Sequence, residues 1–177
     1  TVPIPPLEPA QNYLWRSRYG GRLNAAAPIL YSAWSSPRSF FLGAASLILT
    51  YDLPRATART IYIPLGGGTV NNPLDVTVDW GDGSTERFTT SGIKPHAYAE
   101  GLGPRVSVTI TGRLDWYGTS QPIDQAGLVR VENIGFAMGL TSLRGAFRGT
   151  TIALDYITPN IPETVTSFEE LFLESAC

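Results

Sequence analysis

Apolar and polar residues alternate along several short stretches between residues 46 and 114. In 75–80 and 105–111, every second residue is valine, isoleucine or tryptophan. A period of two places one row of side chains on each face of a strand. Runs at 47–51, 60–64 and 86–90 are also rich in β-branched or aromatic residues. The pattern predicts a mainly β chain in which residues 46–114 form an antiparallel β-sandwich.

Glycine-rich segments separate these strands. Gly81-Asp82-Gly83-Ser84 is predicted to be the tight turn of a hairpin, because glycine accepts a positive φ and aspartate caps its own backbone. Gly66-Gly67-Gly68 is also predicted to be a hairpin turn, since it lacks the Lys-Ser/Thr pair of a phosphate-binding loop.

Residues 1–45 differ from the sandwich region. Four of the first ten residues are prolines, which fix φ and lack a backbone N–H, so residues 1–10 are predicted to form an extended arm. The arm carries Val2, Ile4 and Leu7, which pack either on their own domain or on a neighbouring subunit. Residues 12–39 interleave arginines with aromatic residues such as Trp15, a pattern that favours cation–π packing within the domain or onto a partner.

Charge is sparse and unevenly distributed. Only 16% of the 177 residues are charged, the net charge is −2, and the basic residues form no dense block, which argues against nucleic-acid binding. Residues 1–59 hold six arginines and two acidic residues, whereas residues 149–177 hold five acidic residues and no basic one. Either this is solvated surface, or copies of the chain attract one another head to tail.

Two further features limit the function. The longest apolar run, 40–49, has about half of the roughly 18 residues that a membrane-spanning helix needs, so no span is predicted. Cys177 is the single cysteine, so an intrachain disulfide is impossible.

An internal repeat marks the C-terminal region. Residues 140–152 and 165–177 align at an offset of 25, with Thr-Ser and Phe in identical slots. This period is typical of leucine-rich repeats, in which each unit adds one coil to a stack. The prediction is a repeat-like coil at 140–177, preceded by a linker or first coil at 115–139. Because a solenoid needs about three repeats, the tail is expected to lean on the sandwich or on another chain.

Two family resemblances rest on these motifs. Residues 78–84 (VDWGDGS), the His-x-Tyr at 96–98 and the strand at 106–112 resemble the polycystic-kidney-disease (PKD) type of immunoglobulin-like β-sandwich. Such domains are spacers, adhesion modules and accessory modules, so the resemblance implies structural roles for the motif. Its residues are Trp80, Gly81, Asp82, Gly83, Ser84, His96 and Tyr98. Residues 140–177 resemble the BspA-like leucine-rich repeat of bacterial surface proteins, where a similar sandwich runs directly into the repeats.

Candidate chemistry is limited. The single histidine, His96, is predicted to be a hydrogen-bonded structural residue, and no G-x-S-x-G motif supplies a nucleophile. Asp79 and Asp82 are candidate calcium ligands, although calcium takes six to eight oxygens. The glutamates at 169, 170 and 174 are predicted to form a solvated face. No cofactor is predicted.

Together these features predict a non-enzymatic structural protein that is extracellular or surface-exposed. It would self-assemble, as a filament, a surface layer or a virion surface, through the arm and the open repeat end. The candidate assembly residues are Val2, Ile4, Leu7, Trp15, Phe168 and Phe172. One alternative is an adhesion module that binds a glycan or host protein through Trp15, Trp34, Trp116 and Tyr117. The other is an accessory module of a secreted hydrolase.

Overall fold

The computed structural model describes residues 11–15, 20–21, 30–31, 38–42, 46–70, 73–135, 138–150, 156–157 and 161–175. The chain divides into two compact units, Thr1–Gly43 and Ala44–Cys177. The predicted arm at 1–10, the side chains of Trp15 and Trp34, and Cys177 lie outside the described residues. No helix in the described part of the chain has the length and apolarity needed to cross a membrane.

The described residues form thirteen strands and two single-turn 3₁₀ helices, Leu53–Arg55 and Thr57–Arg59. The strands are β1 (Gln11–Trp15), β2 (Gly20–Gly21), β3 (Leu30–Tyr31), β4 (Arg38–Leu42), β5 (Ser46–Asp52), β6 (Thr60–Gly67), β7 (Asp75–Asp79), β8 (Thr85–Phe88), β9 (Gly92–Ala97), β10 (Arg105–Arg113), β11 (Trp116–Tyr117), β12 (Leu128–Asn133) and β13 (Tyr156–Ile157). The prediction of a mainly β chain is confirmed. In the first unit, β1 pairs with β4 and β2 pairs with β3, both antiparallel.

The second unit contains two sheets. One has six strands in the order β13-β12-β5-β10-β7-β8, and the other has three in the order β11-β6-β9. All pairs are antiparallel except β12 with β13. The hairpin predicted around Gly81-Asp82-Gly83-Ser84 is present, because Asp79 pairs with Thr85 across it.

The prediction of a hairpin turn at Gly66-Gly67-Gly68 is wrong. Gly66 and Gly67 belong to β6, which pairs with β9 and β11, whereas β7 lies in the other sheet. The chain therefore crosses between sheets after β6. Gly66 serves packing instead, since a Cβ on it would lie 2.3 Å from the indole of Trp116.

One hydrophobic core joins the two sheets. Alternate residues of β7 and β10, which the sequence pattern assigns to one face, are almost fully buried in it. The core also takes Ile61, Ile63 and Leu65 from β6. It continues without a break into residues beyond the predicted sandwich boundary at 114, among them Leu140 and Phe147. The C-terminal coils thus share the core of the sheets rather than forming one of their own.

Candidate functional site

The glycine turn is closed by its own aspartates. The backbone N–H of Gly81 donates to Asp79 Oδ1 at 2.9 Å, and the N–H of Ser84 donates to Asp82 Oδ1 at 2.9 Å. The Ser84 hydroxyl donates to the same Asp82 oxygen at 2.6 Å. The pKa of Asp82 is lowered to about 2, mainly by the hydrogen bond from the Ser84 hydroxyl and also by the contacts with His96 and the Ser84 N–H.

His96 and Tyr98 fasten this turn to the sheet. His96 Nε2 lies 2.8 Å from Asp82 Oδ2, and its ring stacks on Trp80 with centroids 4.3 Å apart. The Tyr98 hydroxyl donates to the Trp80 carbonyl at 2.8 Å, and its ring meets His96 edge-on. The motif residues thus bond to and stack on one another, and the role that the resemblance implies for them stays a prediction.

The carboxylates considered from the sequence have hydrogen-bond donors close to them. Asp79 and Asp82 already accept bonds from their own turn, and no three His, Cys, Asp or Glu side chains converge to hold a metal within the described residues. Asp115 accepts from the Thr141 hydroxyl, and Asp124 accepts from the backbone of Ala126.

The remaining feature is a stack of three coils, defined as coil 1 (114–121), coil 2 (140–149) and coil 3 (165–175). Parallel bridges join Trp116 to Ser142 and Ser142 to Ser167, so each coil pairs with the next at nearly the offset of the sequence repeat. Coil 1 also contains β11, whose Tyr117 pairs with Leu65 of β6. The three-stranded sheet therefore continues as a ladder through all three coils.

The six-stranded sheet extends in the same direction. β12 follows coil 1, β13 follows coil 2, and Arg130 of β12 pairs in parallel with Tyr156 of β13, one repeat further along the chain. Coil 2 thus adds one parallel pairing to the three-stranded sheet, and β13 adds one to the six-stranded sheet. The sandwich covers the first end of the stack and leaves coil 3 at the other end.

A regular row of backbone hydrogen bonds joins coil 2 to coil 3. The N–H groups of residues 143, 145, 147 and 149 donate to the carbonyls of residues 167, 169, 171 and 173, at 2.9 to 3.0 Å. One bond returns, from the N–H of Thr166 to the carbonyl of Thr141. Donors therefore point from coil 2 toward coil 3 along this row.

Backbone conformation repeats with the same period. Gly145 and Gly149 have φ of 62° and 73°, and their counterparts in the next repeat, Glu170 and Glu174, have 55° and 61°. The coils are also close. A Cβ on Gly118 would lie 2.0 Å from the carbonyl oxygen of Arg144.

Arginines of coil 2 hold the outer surface of the stack. Arg148, whose side chain is only 11% exposed, donates to the carbonyl of Ser120 in coil 1 at 2.8 Å and to Glu174 in coil 3 at 2.9 Å. It also pairs with Glu170, as does Arg144. The hydrogen bond from Arg148 lowers the pKa of Glu174. The predicted solvated glutamate face is thus partly an ion-pair ladder between coils.

Coil 3 ends the stack with an uncovered edge, here called the open edge: Phe168, Phe172, Leu173 and the N–H groups of 168, 170, 172 and 174. Its three apolar side chains are each 43% exposed, whereas Leu143 and Phe147, the coil 2 counterparts of the two phenylalanines, are 1% exposed. Its N–H groups correspond to the donor row of coil 2 and find no acceptor among the described residues. Phe168 and Phe172, predicted from the sequence as assembly residues, lie together on it.

The sequence left residues 115–139 open as either a linker or a first coil, and the structure forms coil 1 at 114–121. Only the leucine at 114 matches coil 2, at 140, so no identity over several positions marks the repeat. The signal that was available is the offset of 26 between Leu114 and Leu140, close to the 25 of the detected repeat.

Compared with family models, curated proteins and solved structures, this chain gives no match.

Proposed function

We propose that this chain is a non-enzymatic structural module of an extracellular or surface-exposed assembly. In this proposal a PKD-like sandwich caps the first end of a leucine-rich-repeat-like stack. The resemblances at 78–112 and 140–177 support it, as does the parallel ladder of coils, whose spacing follows that of the sequence repeat. Assembly uses the open edge.

The observation that carries the proposal is the mismatch between coil 2 and coil 3. The same slots that are buried in coil 2 are exposed in coil 3, and the same donors that are paired in coil 2 have no acceptor in the described part of coil 3. An edge with apolar side chains and free backbone donors is a template for another chain segment.

The open edge selects its occupant by hydrogen-bond polarity. Two open edges cannot pair with each other along this row, because donors would face donors. Coil 1 cannot serve either, since β6 covers it. The occupant must offer carbonyls and apolar side chains.

Residues 1–10 of a second copy meet this requirement. Pro3 and Pro5 have a backbone carbonyl but no N–H. An extended arm therefore presents acceptors there and leaves no N–H without a partner. Val2, Ile4 and Leu7 supply apolar contacts. The arginines within residues 11–59 are opposite in charge to the glutamates within residues 163–174, which favours head-to-tail association at low salt.

The test is the molar mass of the chain by light scattering across a concentration series. The mass of the wild-type chain rises with concentration, and it rises less at high salt. Phe172→Glu keeps the mass at that of a monomer, because it places a charge on the open edge. The matched control, Val70→Glu, changes a residue that is 99% exposed elsewhere and assembles like the wild type. A wild-type mass that stays monomeric throughout, or a Phe172→Glu chain that assembles normally, would refute the proposal.

A further inference from the structure

A depression of about 210 Å³ lies where coil 1 meets the three-stranded sheet, and it shares no residue with the open edge. Its floor is residues 64–66 of β6, one wall is residues 91–93 at the start of β9, and the other wall is residues 118–121. Trp116 lies among its lining residues. Of the aromatic residues that the sequence offered for adhesion, Trp116 is half-buried here, whereas Tyr117 is fully buried.

The indole of Trp116 is fixed in place. Its Nε1–H donates to the carbonyl of Arg144 at 2.9 Å, so its one polar atom is satisfied within the protein. The ring packs closely on the backbone of Gly66, where any side chain would collide with it. The hydrogen bond to Arg144 and the packing on Gly66 hold the ring as a rigid apolar surface. A rigid surface loses little entropy when it binds a ligand.

The walls are equally well anchored. The N–H of Gly118 donates to the carbonyl of Pro64, which ties the loop to β6. The N–H of Gln121 donates to the Thr119 hydroxyl at 3.0 Å, and Arg148 holds the carbonyl of Ser120 at 2.8 Å. The loop that carries Ser120 and Gln121 is therefore preorganised, while both residues stay exposed.

The chemistry of this lining is neutral. Besides Trp116, it presents exposed hydroxyls at Ser91 and Ser120 and the amide of Gln121, and none of the described residues that line it has an ionisable side chain.

A second depression, of about 240 Å³, adjoins the first through Ile93 and has Tyr62 in its wall. The two depressions, which share Ile93 and are together called the groove, have an aromatic residue in each part and neutral hydrogen-bonding groups in the first. Asp124 lies in the wall of the second part, where its carboxylate would repel an acidic ligand.

We propose that this groove binds a neutral oligosaccharide, with one sugar ring against Trp116. The apolar face of a sugar matches an aromatic ring, and its hydroxyls both donate and accept, as do the serine hydroxyls and the glutamine amide. A nucleotide, a phosphate ester or an acidic sugar would bring a negative charge, and none of the described lining side chains is cationic. Lys94 lies beside the wall, where its ammonium donates to the Ser91 carbonyl at 3.2 Å and to the Thr90 hydroxyl at 3.4 Å. The site uses none of the open edge, so it is independent of the assembly proposed above.

The test is a titration of the full chain with a panel of neutral oligosaccharides from cellulose, xylan, mannan, starch, galactan and chitin. The Trp116 indole N–H signal, assigned by its loss in Trp116→Phe, reports binding by NMR. At least one sugar shifts this signal. Ser120→Ala and Gln121→Ala each weaken its binding about fivefold, the cost of one neutral hydrogen bond. Thr77→Ala, an exposed hydroxyl on the six-stranded sheet, binds like the wild type.

Three results would overturn the site: no shift with any neutral sugar, binding only of sulfated or uronic-acid oligosaccharides, or equal affinity in the Ser120, Gln121 and Thr77 variants. Ser120→Ala and Gln121→Ala change exposed side chains, so their thermal unfolding should match the wild type and confirm that the fold is intact. Sugar binding by a chain that fails to assemble would support this site while refuting the assembly proposal.

Discussion

At the scale of single residues, Asp82 determines how the glycine turn responds to acid. Its pKa is lowered to about 2 by the Ser84 hydroxyl and His96, against an ordinary value of 3.8. Its contribution to stability is therefore complete above pH 3.8 and is lost as the pH falls through about 2.

We expect Asp82→Asn to reduce the free energy of unfolding by about 1–2 kcal/mol at pH 7 and by much less at pH 2. The Asp82 side chain is 20% exposed, so solvent screens part of its interactions. Urea denaturation at the two pH values measures both losses. Glu100→Gln, an exposed change in the next turn, serves as the control and should cost little at either pH. A loss for Asp82→Asn that is the same at both pH values would show that the carboxylate charge plays no part.

At Gly118 the backbone of coil 1 lies close against that of coil 2. Alanine there would place a methyl group 2.0 Å from the Arg144 carbonyl oxygen, at a φ of 141°. We expect Gly118→Ala to destabilise the protein by about 3 kcal/mol or more. Gly103→Ala, with nothing within 4 Å of the new methyl, should be neutral or slightly stabilising. Equal thermal unfolding of the two variants would contradict the close stacking of coils 1 and 2.

The residue scale also shows what a sequence can predict. Trp80, Asp82, His96 and Tyr98 are adjacent to turns or alternate in strands, so local rules suggest structural roles for them. The stacking of His96 on Trp80 is not predictable in this way. It depends on β9 passing beside the turn from another sheet, which is a long-range consequence of topology.

At the scale of elements, the two sheets and the coils form one continuous system. β11 and β12 extend the two sheets of the sandwich, and β13 and coil 2 extend them again. This explains how so few repeats can be stable: the sandwich supplies the cap that a solenoid needs at its first end. The sequence predicted that the tail would lean on the sandwich or on another chain, and the structure shows the sandwich as one support.

Arg148 tests how the coils are joined. Its nearly buried side chain contacts all three coils, whereas the Arg144 side chain is 42% exposed and bridges to coil 3 alone. We expect Arg148→Ala to lower the urea midpoint about twice as much as Arg144→Ala, because Arg148 has a hydrogen bond to a backbone carbonyl of coil 1 as well as its ion pairs with coil 3, whereas the Arg144 side chain has ion pairs alone among the described residues. Equal shifts would mean that the ladder contributes only surface charge.

What the sequence left wrong or open at this scale has physical causes. Gly66-Gly67-Gly68 has the composition of a turn, but its role is to let Trp116 lie against β6. The sequence could not separate a first coil from a linker at 115–139, because coil 1 packs on β6, a neighbour unlike those of the later coils. Repeats at the end of a stack are atypical for this reason.

At the scale of the whole molecule, the proposed assembly pairs the open edge with the proline-rich arm of a second copy. The open edge has N–H donors that find no acceptor among the described residues. The arm has a carbonyl at every residue, but its prolines lack an N–H. The exposed apolar side chains of coil 3 and the apolar residues of the arm reinforce this match. Assembly by this route is directional, since each copy gives an arm and receives one.

Mixing two defective chains tests this account most directly. A chain lacking residues 1–10 keeps the open edge, and a Phe168→Glu/Phe172→Glu chain keeps the arm. Sedimentation should find each chain monomeric by itself and a one-to-one heterodimer in the mixture, with no larger species. The account would be contradicted if the mixture stayed monomeric, or if the chain lacking residues 1–10 assembled by itself.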